Sequence, residues 1–186
     1  MSCHSCSGSK CKSSWWASVS KTHFPEKVVA LVGMPNVGKS VLFNALTGTY
    51  VTVSNYPGTT VEIARGKTQI GEKYVSVVDT PGMYSLIPIT EEEKVAKKLL
   101  LEENLSLAIH VVEAKNLGRM LTLTLQLMEM GLPLLLAVNM IDEAKRMNIA
   151  IDSLSLEEKL GIPVVKMSAA KKQGIEQLKM RMAAYV

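Results

Sequence analysis

From Lys27 onward the chain alternates short apolar runs with amphipathic segments, the pattern of an α/β fold. Val28–Val32 is a continuous run rich in β-branched residues, as expected for a strand covered on both faces. It leads through a turn into a helix over Lys39–Leu46. Thr47–Thr60 has no clear period and is rich in Gly, Thr and Ser, which reads as a loop long enough to move. Val61–Ile70 and Tyr74–Val78 flank Gly71-Glu72 and predict a hairpin. Thr90 and Glu93 have the spacing of a capping box for a helix over Thr90–Leu101, with Lys97 and Lys98 toward its negative end. Strands follow at Leu105–Val112, Leu132–Val138 and Pro163–Met167. Helices follow at Leu117–Met130, Asp152–Leu160 (closed by Gly161) and Gln173–Ala184. Together these predict a six-stranded, mostly parallel sheet with one antiparallel strand and five helices shared between its two faces.

Residues 1–26 break this pattern: Ser, Lys and Cys dominate, then come Trp15 and Trp16. The chain therefore divides into an N-terminal extension over residues 1–26 and one domain over residues 27–186. Its aromatic share of only 5% leaves aliphatic side chains and eleven Met to fill the core. The net charge is +4, and Lys10, Lys12, Lys21 and Lys27 against Glu26 account for +3 of it. The domain itself is nearly neutral, so no nucleic-acid partner is expected. No apolar run reaches the roughly 18–20 residues that cross a bilayer, and the N-terminus lacks a secretory apolar core. A cytoplasmic location is expected.

Gly33-Met34-Pro35-Asn36-Val37-Gly38-Lys39-Ser40 fits the phosphate-loop pattern G-x-x-x-x-G-K-[ST]. Its glycines let successive backbone N–H groups converge on phosphate oxygens, and the following helix points its positive end at the same place. In this reading Lys39 reaches the β- and γ-phosphates, the Ser40 hydroxyl ligates Mg²⁺, and Val41 extends the contact surface. The position between a buried strand and a helix supplies the context the motif needs, and with the order of elements it predicts a Ras-like P-loop NTPase fold.

Asn139-Met140-Ile141-Asp142 follows a predicted strand. A carboxylate at Asp142 can accept guanine N1–H and the N2 amine, and adenine offers neither donor there. Ser168, Ala169 and Ala170, after the last strand, stand where backbone contacts to the guanine oxygen belong. Asp79-Thr80-Pro81-Gly82 ends the second hairpin strand. Asp79 there can hold Mg²⁺ through water, and the Gly82 N–H can meet the γ-phosphate. Thr60 is the expected switch ligand to Mg²⁺, with the adjacent Thr59 as the alternative, and loss of the γ-phosphate would release this segment. Met83 follows Gly82 where Ras-type enzymes carry a water-orienting Gln, so slow turnover is expected, with the water held by backbone near Thr60 and Gly82.

Beyond these shared motifs stand Asn55-Tyr56-Pro57-Gly58-Thr59-Thr60-Val61-Glu62, Pro81-Gly82-Met83-Tyr84-Ser85-Leu86, Asn116-Leu117-Gly118-Arg119 and Leu160-Gly161-Ile162-Pro163-Val164-Val165. Over residues 27–182 the chain resembles the G domain of the ferrous iron transport protein B (FeoB) family. The resemblance implies a regulatory domain of a bacterial inner-membrane Fe²⁺ transporter that binds GTP or GDP and hydrolyses GTP. It implies Mg²⁺ as cofactor and a K⁺ held beside the phosphates by Asn36, which makes Asn36, Lys39, Thr60 and Gly82 the catalytic set. The family usually has Leu at the Thr80 position and Asp at the Glu113 position. It continues into helical and membrane domains, whereas this chain stops at Val186. These domains are the expected partners, and self-association is left open.

In the extension, Cys3, Cys6 and Cys11 with His4 could form a metal or redox site, against the plain reading of a solvated tail. Two other functions share the nucleotide motifs: a translation or ribosome-assembly GTPase, and a nucleotide-gated scaffold with little hydrolysis.

Overall fold

A computed structural model describes residues 27–48 and 51–186. The proposed extension over residues 1–26, with Cys3, Cys6 and Cys11, lies outside the described residues. Seven strands form one sheet in the order β2-β3-β4-β1-β5-β6-β7. They are β1 (Val28–Val32), β2 (Val51–Asn55), β3 (Glu62–Ile70), β4 (Lys73–Asp79), β5 (Leu105–Glu113), β6 (Leu134–Asn139) and β7 (Val164–Lys166). Only β3 runs against its neighbours, pairing antiparallel with both β2 and β4. The helices are α1 (Lys39–Thr47), α2 (Glu91–Glu102), α3 (Leu117–Glu129), α4 (Ile141–Arg146), α5 (Ser153–Leu160) and α6 (Ile175–Met182).

The α/β architecture is as expected, with two additions. Val51–Asn55, read as loop, is a seventh strand, and Ile141–Arg146 is a sixth helix. All five residues of β2 are exposed, so no buried face imprints a period on its sequence. Backbone pairing to β3 makes it a strand. At six residues α4 is too short to display a helical period.

Central β1 shows why the two-sided pattern works. Val29 and Leu31 face the core under α1 and α6, while Ala30 and Val32 face the core under α2 and α3. Met34, Met83, Met120, Met167 and Met182 are buried and fill gaps between aliphatic neighbours, whereas Met147 and Met180 are exposed. Gly71 takes a positive φ of 61° in the β3–β4 turn. The Thr90–Glu93 capping box forms in both directions. Gly161 closes α5 in the left-handed region, as its position predicts. Lys97 and Lys98 miss the last turn of α2, which carries no basic residue, so the expected dipole contact is not made there.

Candidate nucleotide-binding site

The phosphate loop joins β1 to α1 and is shaped by backbone that few residues adopt. Gly33 and Gly38 have φ of 149° and 88°, and Asn36, at the exposed tip, has φ of 63°. A Cβ at Gly33 would lie 2.4 Å from the Val111 carbonyl oxygen, and one at Gly38 would lie 2.5 Å from Asn139 Nδ2. Both positions thus exclude a side chain twice over, by torsion and by space. Lys39 is buried and folds back over the loop. Its Nζ donates to the carbonyls of Gly33 at 3.1 Å and Met34 at 2.8 Å. Burial lowers its pKa, and the Asp79 carboxylate partly opposes this.

Lys39, Ser40, Thr60, Asp79, Pro81 and Gly82 border one open cleft of about 700 Å³. Sheet order explains the meeting: β4 lies beside β1 in parallel, so Asp79 at its end stands opposite Leu31, just before the loop. Burial raises the Asp79 pKa, offset by a hydrogen bond from Ser40 and by Lys39. Among the described residues, Asp79 Oδ1 is buried without a hydrogen-bond partner. An orphaned carboxylate oxygen beside a hydroxyl, on a residue that borders an open cleft, fits the hard oxygen-ligand chemistry of Mg²⁺. Thr59 is used differently from Thr60: its hydroxyl donates to the Tyr56 carbonyl and its backbone N–H does the same, both at 3.0 Å, closing the β2–β3 turn. Thr60 is exposed.

Thr80 is buried, and its hydroxyl donates to the Leu31 carbonyl at 2.7 Å, tying β4 to β1. This bond satisfies a polar group where an apolar side chain would need none. A Cβ at Gly82 would lie 2.6 Å from the Pro35 ring, so glycine lets the segment after β4 lie against the phosphate loop. Met83 is wholly buried, and its N–H donates to the Gly33 carbonyl at 3.1 Å. Its side chain packs in the core under α2 and α3, away from the residues that line the cleft.

The guanine-type loops converge on Asn139. Its Nδ2 donates to the Val37 carbonyl and its Oδ1 accepts from the Ala169 N–H, each at 2.9 Å. One buried amide therefore locks the phosphate loop, the β6–α4 loop and the loop after β7. Met140 caps α4 with φ of 59°, and its N–H neighbour Ile141 donates to the Met167 carbonyl at 3.1 Å. Ser168 and Ala169 are buried and Ala170 is exposed. Asp142 Oδ2 lies 3.0 Å from Lys171 Nζ. Hydrogen bonds from Lys171 first and Ser168 second hold its carboxyl at about 2. Val41, further along α1, is exposed.

Two clamps were not legible as functional. Beyond its capping box, Glu93 gathers the N–H groups of Tyr84 at 3.2 Å and Ile89 at 2.7 Å, organising the segment between β4 and α2. The β2–β3 turn and β3 are pinned to the end of α2: Tyr56 donates to Glu102 at 3.0 Å, Lys98 sits 5.5 Å from the Tyr56 ring centre, and Arg65 pairs with Glu103. The capping spacing is the only sequence signal for either.

The sequence profile of the family described as "Ferrous iron transport protein B" matches residues 27–182. Among curated relatives, the Fe(2+) transporter FeoB of Methanocaldococcus jannaschii is 49% identical over 103 residues, covering 55% of this chain and 15% of that protein. The Fe(2+) transporter FeoB of Escherichia coli K12 is 44% identical over 109 residues, covering 56% of this chain and 14% of that protein. The matched region thus spans about one seventh of each. Among solved structures, the G domain of the T. maritima FeoB iron transporter superposes with a TM-score of 0.81 at 42% identity, covering 86% of this chain and 98% of that one. The FeoB G domain from Methanococcus jannaschii gives 0.77 at 45% identity, covering 86% and 97%. The T. maritima cytosolic domain in its GMPPNP form gives 0.80 at 41% identity, covering 86% of this chain and 63% of that one.

Proposed function

Because this chain belongs to the ferrous iron transport protein B family, we propose that its site binds GTP with Mg²⁺, hydrolyses it slowly, and regulates Fe²⁺ import by an inner-membrane transporter from the cytoplasmic side. The observation that carries the reading is the Asn139 lock, which fixes the distance between a phosphate cradle and the Asp142 carboxylate. Base and phosphates are then read by one rigid frame.

Each residue has a share in the chemistry. The backbone N–H groups between Gly33 and Ser40 hold the phosphates, and Lys39 exchanges its two carbonyl partners for β- and γ-phosphate oxygens. Ser40 and Thr60 would ligate Mg²⁺ directly and Asp79 through water. Asn36, exposed at the loop tip, would hold K⁺. Bound there, the two cations would neutralise charge on the phosphates. Water attacks the γ-phosphorus in line, the bond to the bridging oxygen breaks, and GDP leaves. Thr60 and Gly82 would position the water through their backbone. Met83 is buried and supplies no group for this step, which supports slow turnover. Loss of the γ-phosphate would free the first switch, and the helical and membrane domains that the family carries would sense the change. Homo-oligomers fit this scheme but are not required by it. No nucleic-acid partner has a place in it.

Titration calorimetry with GTP and ATP, followed by turnover measured in K⁺ and in Na⁺, tests the proposal. GTP should bind at least about 100-fold more tightly than ATP, and K⁺ should speed turnover. Equal affinities would remove the guanine assignment. Tight GTP binding with no turnover in either salt would favour a nucleotide-gated scaffold.

A further inference from the structure

The ion pair across the mouth of the guanine-type loop has no part in the scheme above. We propose that Lys171 is a built-in competitor of guanine for Asp142, a positioning residue that sets how sharply the site separates guanine from hypoxanthine nucleotides. The inference rests on reading Asp142 as the base acceptor.

Lys171 Nζ lies 3.0 Å from Asp142 Oδ2, and Arg146 approaches the same oxygen at 3.9 Å. The Asp142 side chain is 19% exposed and that of Lys171 54%, so the ammonium is the member that can leave for solvent. Lys171 is delivered by a closed loop. Ser168 and Gln173 exchange backbone hydrogen bonds at 3.0 and 3.1 Å, and the Lys171 N–H donates to the Ser168 carbonyl at 3.1 Å. The same loop offers Ala169 N–H to Asn139. The competitor therefore sits on the element that also frames the site.

Guanine presents two donors, N1–H and the N2 amine, and needs both carboxylate oxygens. Hypoxanthine presents N1–H alone and needs one. While Lys171 holds Oδ2, with Ser168 a second donor to the carboxylate, hypoxanthine can use Oδ1 without displacing the ammonium, but guanine must displace it. The native chain should then favour GDP over IDP less strongly than the carboxylate alone would.

Competition binding on the full chain tests this with GDP, IDP and ADP. Lys171→Met should tighten GDP by about two- to fivefold, the scale of an exposed ion pair, and leave IDP nearly unchanged, so the GDP:IDP ratio widens. Added salt should narrow the difference between native and variant chains. Lys171→Arg keeps the pair and should restore the native ratio. Lys172→Met removes a neighbouring exposed charge and should leave the ratio alone, which separates competition from general attraction of phosphate. If Lys171→Met weakens GDP and IDP equally, or leaves their ratio unmoved while the native chain still prefers GDP to ADP, the competitor role is overturned and the guanine reading stands. If the native chain does not prefer GDP to ADP, both fall.

Discussion

Around Asn139, a buried amide joins three loops, and Gly38 lies so close beneath it that no side chain fits. At the opposite edge of the sheet, every residue of β2 is exposed, and the segment is held by its ladder to β3 and by surface contacts to the end of α2. The first region is held by buried hydrogen bonds between its loops. The second has few buried side-chain contacts, so opening it locally should cost less. The proposed function draws on both: a frame for base and phosphates, and an edge whose order would depend on the last phosphate.

The largest expected effect comes from breaking the frame. Asn139→Ala removes the side-chain partner of both the Val37 carbonyl and the Ala169 N–H. The expected destabilisation is on the order of 3 kcal/mol, a fall of about 6–12 °C in melting temperature, with GDP affinity reduced on the order of 100-fold. A variant that melts and binds like the native chain would show that the two loops are held by something else.

Acid should attack the middle of the sheet next. His110 is buried in β5, its Nδ1 2.9 Å from the Thr124 hydroxyl and its Nε2 without a partner among the described residues. Burial first, and Lys39 second, lower its pKa to about 3. The unfolded chain takes up the proton near pH 6.5 and the folded chain does not, so this group makes stability fall as pH drops through that window toward 3. The slope should approach roughly 1.4 kcal/mol per pH unit. Denaturant midpoints for the native chain and His110→Gln between pH 7 and 4 check this. An equally steep acid limb in the variant would assign the loss to other groups.

The smallest effect belongs to the edge. Tyr56→Phe deletes the hydrogen bond to Glu102 but keeps the ring beside Lys98. Amide exchange in β2 should quicken by about twofold while the melting temperature moves by less than about 1 °C. Equal exchange rates in β2 and in the loops around Asn139 would erase the contrast between the regions.

Much of the local structure, including the backbone of the candidate phosphate loop, was legible because its signals are local. The phosphate loop, the hairpin at Gly71, the cap at Thr90 and the stop at Gly161 each depend on residues within a few positions of one another. Val51–Asn55 escaped because an exposed edge strand carries no apolar alternation. Thr59 and Thr60 could not be separated by spacing, since both stand next to the turn. Their hydrogen bonds show that Thr59 closes it.

The sequence by itself determined the alternation of strands and helices, the bare-backbone loop and the order of the motifs, because torsion and spacing are properties of a short stretch of chain. Only the tertiary structure decided the partners: Asn139 with a carbonyl 102 residues away, Tyr56 with Glu102, and Lys171 with Asp142. The reason is physical. A side chain bonds to whatever sheet order places beside it, and that order is settled by packing across the whole domain.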